Sequence, residues 1–260
     1  MDQSTHSIGL RDRYLDLVER AVMNEIHGEP RLEAVLQTLA TRLRHPWQTR
    51  GWRVFWPVKA HTMIPSARLS HLRGLVEAAL REGVPGDLIE TGVWRGGACI
   101  LMRAVLAAYG VSDRRVFVAD SFEGLPKPNA ARYPADTGDK LFSFTELAVS
   151  EAEVRRNFAA YGLLDEQVVF LKGLFKDTLP ALKDHRFALI RLDGDMYEST
   201  MDALTNLYDR LSDRGYVVID DYGVLGSCRD AVHDFLDARG LHPTIEPIDE
   251  GAVWWKKGLP

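Results

Sequence analysis

No stretch of this 260-residue chain approaches the ~20 uninterrupted apolar residues that a membrane-spanning helix requires, so a membrane protein is not expected. Cysteine is scarce. Cys99 and Cys228 are too few for a disulfide framework or a paired zinc site, and each is expected as a buried thiol within a helix. Lysine and arginine never form a run and the net charge is −5, which excludes a nucleic-acid footprint and disfavours phosphate-rich partners. Neither GxGxxG nor GxxxxGK(S/T) occurs, so the usual glycine cradles for a dinucleotide or a nucleoside triphosphate are missing. Met1–His6 lacks the charged and apolar regions of a signal peptide, and a cytoplasmic location is expected.

What the chain does contain is carboxylate at the ends of apolar runs. Phe187–Leu192 leads into Asp193-Gly194-Asp195, and Gly215–Ile219 leads into Asp220-Asp221. Short aliphatic runs bounded by glycine and polar residues read as buried strands of a parallel sheet. Ligands bind beyond the carboxyl ends of such strands. If the two strands are neighbours, four acids converge there, and their mutual repulsion calls for protons or a cation. A hard oxygen-seeking ion such as Mg²⁺ suits that set.

The rest of the chain alternates in the same way. Helical spacing appears in Tyr14–Val22 and in Leu32, Val35, Leu36 and Leu39, with Gly28-Glu29-Pro30 between them. Residues 45–66 carry Trp47, Trp52 and Trp56 without periodicity, as plain packing, substrate stacking or an oligomer contact. From residue 67 onward helices and strands alternate: helix 69–80, strand 87–91, helix 97–109, strand 115–120, helix 151–161 and strand 167–172. A short helix near 176–182, strand 187–193, helix 197–211, strand 215–220 and helix 227–239 follow. Residues 244–248 and 253–257 read as a closing antiparallel pair. The expected fold is α/β, a doubly wound, mostly parallel sheet. Residues 1–66 form a helical extension to a Rossmann-like domain at 67–260. Residues 122–150 are too long for an ordinary connection and follow a strand's carboxyl end, which marks them as a lid.

The first strand ends in Glu90-Thr91-Gly92-Val93-Trp94-Arg95-Gly96-Gly97 and the second in Asp120. An acid beyond the second strand suits ribose hydroxyls, and Glu90 beside the turn disfavours pyrophosphate but suits a cationic ligand. S-adenosylmethionine, an adenosine bearing sulfonium and ammonium groups, meets both demands. A tight strand–helix connection is the plainer reading of the turn alone.

These segments, with Ala119–Gly124, Leu192–Asp195, Ile219–Tyr222, His61–Ile64 and Gly173–Pro180, resemble the macrocin O-methyltransferase family, which methylates sugar hydroxyls of glycosylated antibiotics. The resemblance runs from about residue 10 to the C-terminus. A more distant similarity is to catechol O-methyltransferases. The resemblance to the macrocin family implies a class I S-adenosylmethionine-dependent methyltransferase fold with a seven-stranded sheet. By that matching Thr62, Met63, Glu90 and the turn Thr91, Gly92, Val93, Trp94 and Arg95 flank the methionine end of the cofactor. Asp120 holds the ribose with Ser121 nearby, and Phe175 and Lys176 border the adenine. Asp193, Asp220 and Asp221 match the magnesium ligands, and Asp195 the general base. The implied partner is a small-molecule glycoside, and a homodimer is expected in which the N-terminal segment covers a neighbour's site.

Several residues admit plainer roles. Asp195 is placed to cap the following helix, and Asp221 to cap or form an Asx-turn. His61 and His233 are candidate bases; His61 lies in the cofactor segment, while His233, on a helix with Val232 and Phe235, reads more readily as structural. Arg191, inside a buried run, is expected to pair with one of the acids. Competing functions are a phenolic methyltransferase using the same acids, a nicotinamide-dependent oxidoreductase, and a cofactor-binding protein without catalysis.

Overall fold

The computed structural model describes residues 3–45 and 56–258; Trp47 and Trp52 therefore lie outside the described residues. Seven strands form one sheet: β1 (Asp87–Thr91), β2 (Val116–Asp120), β3 (Val168–Lys172), β4 (Phe187–Leu192), β5 (Leu211–Ile219), β6 (Glu246–Pro247) and β7 (Val253–Lys256). Their order is β3-β2-β1-β4-β5-β7-β6, parallel from β3 to β5, with β7 antiparallel to β5 and β6. The chain order reverses between β1 and β4, and a crevice opens at such a switch point.

Strand alternation sends neighbouring residues to opposite faces. Leu88, Val116 and Val118 join one core with the helices α1 (Gln3–Val22), α3 (Ser66–Arg81) and α4 (Gly97–Ala108). Ile89, Phe117 and Ile190 join the other with α7 (Tyr197–Leu207) and α8 (Gly226–Ala238). The helix α5 (Glu151–Ala160) adds Val154 and Phe158 to the first core, and α6 (Phe175–Thr178) adds Phe175 to the edge of the second. Cys99 and Cys228 are buried free thiols on α4 and α8, as expected.

Four boundaries differ from the sequence expectation. The helix expected to reach Leu211 stops at Leu207, and β5 begins at Leu211 rather than Gly215. The pairing register shifts there, with Arg214 at φ 65° and a Cβ on Gly215 only 2.6 Å from Leu211. Only glycine fits that bulge. β4 ends at Leu192, which leaves Asp193 just beyond it, and the closing pair retains only two residues in β6.

The second helix, α2 (Arg31–Arg44), forms as its period predicts, but its apolar stripe does not reach the core. Leu32, Val35, Leu36, Leu39 and Leu43 are all at least half exposed, from 50% to 83%. α1 behaves oppositely: Leu15, Val18 and Val22 are buried against α3 and α4. Residues 122–150 hold three single 3-10 turns and are anchored by buried Phe144, Val149 and Asp136. Among the described residues no helix is long and apolar enough to cross a membrane.

Candidate active site

The crevice is floored by the crossing of two strand ends. Asp193 N donates to Thr91 O at 2.8 Å, and a Cβ on Gly92 (φ 85°) would stand 1.8 Å from Asp193 O. No side chain fits where β1 and β4 meet, which explains glycine at the turn. Asp193 follows β4, and Asp220 and Asp221 follow β5, so neighbouring strands deliver all three carboxylates to one point. One oxygen from each lies within 4.8 Å of the others. Oxygen ligands bind Mg²⁺ at about 2.0–2.1 Å, so that spread is within reach of a shared hard cation.

Arg191 occupies the centre of this acid group, buried at 1% exposure. Its guanidinium donates to Glu90, to Asp193 at 2.8 Å and to Asp220. Arg68 of α3 adds a second guanidinium, donating to Asp220 Oδ2 at 2.7 Å and to Asp249 Oδ2 at 2.7 Å. The pairing expected for Arg191 is thus present, with three partners rather than one. Glu90 is pushed up to about 7 by burial, Arg191 only partly offsetting it. Asp220 is pushed up to about 6, burial again coming first. Burial and then Asp195 raise Asp221 far above the ordinary carboxylate range; burial and then Asp193 do the same for Asp195. Glu90, Asp193, Asp195, Asp220 and Asp221 carry five potential negative charges against the two guanidiniums, so protons or a cation must supply the balance.

Asp195 does not cap α7. It lies at φ 61°, Met196 holds the cap position without a side-chain bond, and Asp195 N donates to Asp221 Oδ2 at 3.3 Å. Both Asp193 and Asp195 line the same open crevice. Gly92, Asp120, Ser121, Phe175 and Lys176 line it as well. Asp120 accepts from Val93 N at 2.8 Å and Phe122 N at 2.7 Å, which fixes its carboxylate at the rim; burial raises its pKa. Ser121 donates to Gly124 O at 2.6 Å.

Other anticipated cofactor residues do not line that crevice. Glu90 is enclosed, with Cys99 Sγ donating to Oε2 at 2.8 Å opposite Arg191. Thr91 is fully buried and its hydroxyl has no hydrogen-bond partner among the described residues. Val93 is buried in the core beneath the turn. Trp94 donates from its indole to Glu146 O at 2.8 Å. Arg95 stacks on Trp94 and donates to the carbonyls of Pro57, Val58 and Ala60. Thr62 sits on the start of α4, where Gly97 N donates to His61 O at 2.9 Å, and Met63 is 40% exposed. His61 and His233 pair with Tyr161 and Tyr222 at 2.8 and 2.7 Å, and neither lines the crevice.

The structure adds wall residues that the sequence did not single out. Glu198, Ser199 and Asp202 project from α7, and Gly124, Leu125 and Pro126 come from the 122–150 segment. Lys176 stands 3.4 Å from Glu198, and burial pushes Asp202 up to about 6. Their helical spacing from Asp195 was visible; that this face of α7 turns toward the cavity was not.

A family model described as macrocin-O-methyltransferase matches residues 11–257. The chain is 48% identical over 247 residues to the mycinamicin III 3''-O-methyltransferase of Micromonospora griseorubida, spanning 94% of this chain and 96% of that one. It is 49% identical over 247 residues to the 8-demethyl-8-(2,3-dimethoxy-alpha-L-rhamnosyl)-tetracenomycin-C 4'-O-methyltransferase of Streptomyces olivaceus, spanning 95% and 93%. The solved structure of the O-methyltransferase NovP is similar throughout, with TM-score 0.84, 45% identity, and coverage of 95% of this chain and 99% of that one.

Proposed function

This chain belongs to the macrocin-O-methyltransferase family and is an S-adenosylmethionine-dependent O-methyltransferase, and on that footing we propose that it methylates a sugar hydroxyl of a glycosylated natural product in antibiotic biosynthesis, with Mg²⁺. The observation that carries the reading is that Asp193, which lines one crevice with Asp195, Asp120 and Phe175, also meets Asp220 and Asp221 within reach of a single ion.

Methyl transfer from a sulfonium to an alcohol is an in-line displacement: a C–O bond forms, the C–S bond breaks, and the hydroxyl proton must go to a base. Lining residues hold acceptor and donor in register, and such alignment supplies roughly 7–11 kcal/mol when the bound pose is near attack. Asp195 is the group placed to take the proton as the methyl moves. Asp120 receives the ribose, and Phe175 with Lys176 borders the adenine. Thr62, Met63, Glu90 and the turn from Thr91 to Arg95 form the methionine end. Through Arg191, Glu90 also fixes the orientation of Asp193 and Asp220. Asp193, Asp220 and Asp221 would hold magnesium, which would supply Lewis acidity to ease loss of the hydroxyl proton.

Residues 122–150 act as the lid of this Rossmann-like domain, and residues 1–66 as its helical extension. The exposed leucine stripe of α2 supports a homodimer. Under a twofold axis an antiparallel pair of α2 helices brings Glu33 at one end toward Arg42 of the partner subunit, a complementary match.

The deciding assay supplies S-adenosylmethionine with a panel of demethyl macrolide and aminocoumarin glycosides, with EDTA and with Mg²⁺ restored. Methylation of a sugar oxygen that stops in EDTA and returns with Mg²⁺ is expected. Asp221→Asn should lose that metal response yet bind S-adenosylhomocysteine normally. It is a cleaner probe than Asp220, whose removal would also strand Arg68 and Arg191. Full turnover in EDTA would exclude the metal, and methylation confined to phenols would exclude the sugar.

A further inference from the structure

Asp136 belongs to a single turn, Pro134–Asp136, in an otherwise irregular surface segment, yet it is only 1% exposed. Its two carboxylate oxygens accept from Tyr197 N at 2.7 Å and from Glu198 N at 3.0 Å. These are the first two amides of α7, which a helix cannot satisfy from within. Met196, at the local cap position, offers no side-chain oxygen. The helix is therefore capped from 61 residues away in the chain, and the carboxylate meets the positive end of the helix dipole. The Tyr133 ring, 5.9 Å from that of Tyr197, braces the same turn.

The capped amides lie two and three positions beyond Asp195. Between them the backbone is tightly constrained: Asp195 holds a left-handed φ of 61°, and Met196 N donates to Gly194 O at 2.6 Å. That region is uncommon for non-glycine residues, though aspartate enters it more readily than most. Glu198 and Ser199, on the capped turn, line the crevice. One buried carboxylate thus joins the segment above the crevice to the turn that carries Asp195.

We propose that Asp136 is a positioning residue for methyl transfer: by capping α7 it seats the 122–150 lid and holds Asp195 at the reacting hydroxyl. The proposal rests on the function assigned above.

The test compares Asp136→Ala and Asp136→Asn in the full chain. A misplacement of about 1 Å can cost about 10²-fold in rate, so Asp136→Ala should lower kcat by about that factor. S-adenosylhomocysteine affinity, measured by calorimetry, should stay unchanged. Asparagine keeps an acceptor oxygen and caps about as well as aspartate, so Asp136→Asn should recover most of kcat. Hydrogen exchange without any acceptor should quicken at Tyr197, Glu198 and across 122–150 in the alanine variant alone. A kcat that survives Asp136→Ala overturns the proposal. So does an asparagine variant that folds yet is as slow as alanine, or exchange that does not change. Failure of the sugar reading shows elsewhere, as unaltered enzyme that methylates no glycoside.

Discussion

The crevice and the helix α2 invert the usual division between inside and outside, in opposite senses. At the crevice a guanidinium and two carboxylates, Arg191, Glu90 and Asp220, are nearly sealed from solvent. On α2 a full stripe of leucine and valine faces water. Buried charge is expensive unless paired, and even a well-paired cluster often contributes little net stability. Exposed apolar stripes likewise mark surfaces that are covered in use. Each region is locally unfavourable for folding, and the proposed function gives each a counterpart: a cation and a polar ligand at the first, a second copy of the chain at the second. Departures from consistent burial concentrate where function is.

The strongest way to break the crevice half of this comparison is Asp195→Asn. General acid–base groups contribute typically 10²–10⁴-fold, so kcat should fall within that range while glycoside and cofactor binding change little. Steady-state kinetics with the cofactor saturating will decide it. An unchanged kcat would remove Asp195 from proton transfer and leave its left-handed backbone without a role.

The N-terminal helices offer an internal control, because both show helical apolar periodicity. Leu15 on α1 is fully buried, so Leu15→Ala should cost about 2–5 kcal/mol in denaturant unfolding. Replacing Leu36 and Leu39 on α2 with glutamate should leave the protomer within about 0.5 kcal/mol per site, as exposed positions generally do. The same double variant should sediment as a monomer where the unaltered chain sediments as a dimer. A dimer that persists with both glutamates would place the interface elsewhere.

Much of the crevice floor is legible in the chain because each contribution is local. An apolar run followed by aspartate reports both the strand and the end of the sheet at which the acid emerges, so the positions of Asp193, Asp220 and Asp120 at strand ends could be read without coordinates. Arg191 was visible as a charge inside such a run, although its three partners were not. The crevice wall is a different matter. Asp136 meets α7 across 61 residues, and nothing near either end signals the pairing except the absence of a cap at Met196. The fate of the α2 stripe is equally non-local: period fixes which residues share a face but not what that face meets. The bulge that starts β5 at Leu211 was hidden because Gly215 reads as a strand boundary when it is the residue that permits the strand to kink.

The smallest expected effect joins the two N-terminal regions through Glu29, in the connection between α1 and α2. Its carboxylate accepts from Val58 N at 2.6 Å, Ala60 N at 2.8 Å and Asn24 Nδ2 at 3.1 Å. Burial raises the Glu29 pKa, but the backbone donors of Lys59 and Val58, with Asn24, more than offset it, so the pKa lies below 4.5. A carboxylate whose folded pKa is depressed stabilises the native state above its unfolded value and loses that contribution as pH falls through the folded one. The difference in melting temperature between the unaltered chain and Glu29→Gln should therefore be level near neutrality. It should begin to close below about pH 4.5 and vanish once Glu29 is protonated in both states. Other carboxylates titrate in the same window, so the difference between the two proteins carries the information, not either melting curve alone. A gap that stayed constant down to pH 3 would mean that glutamine's lost acceptor, and not the charge, fixes the 58–60 strap against α1.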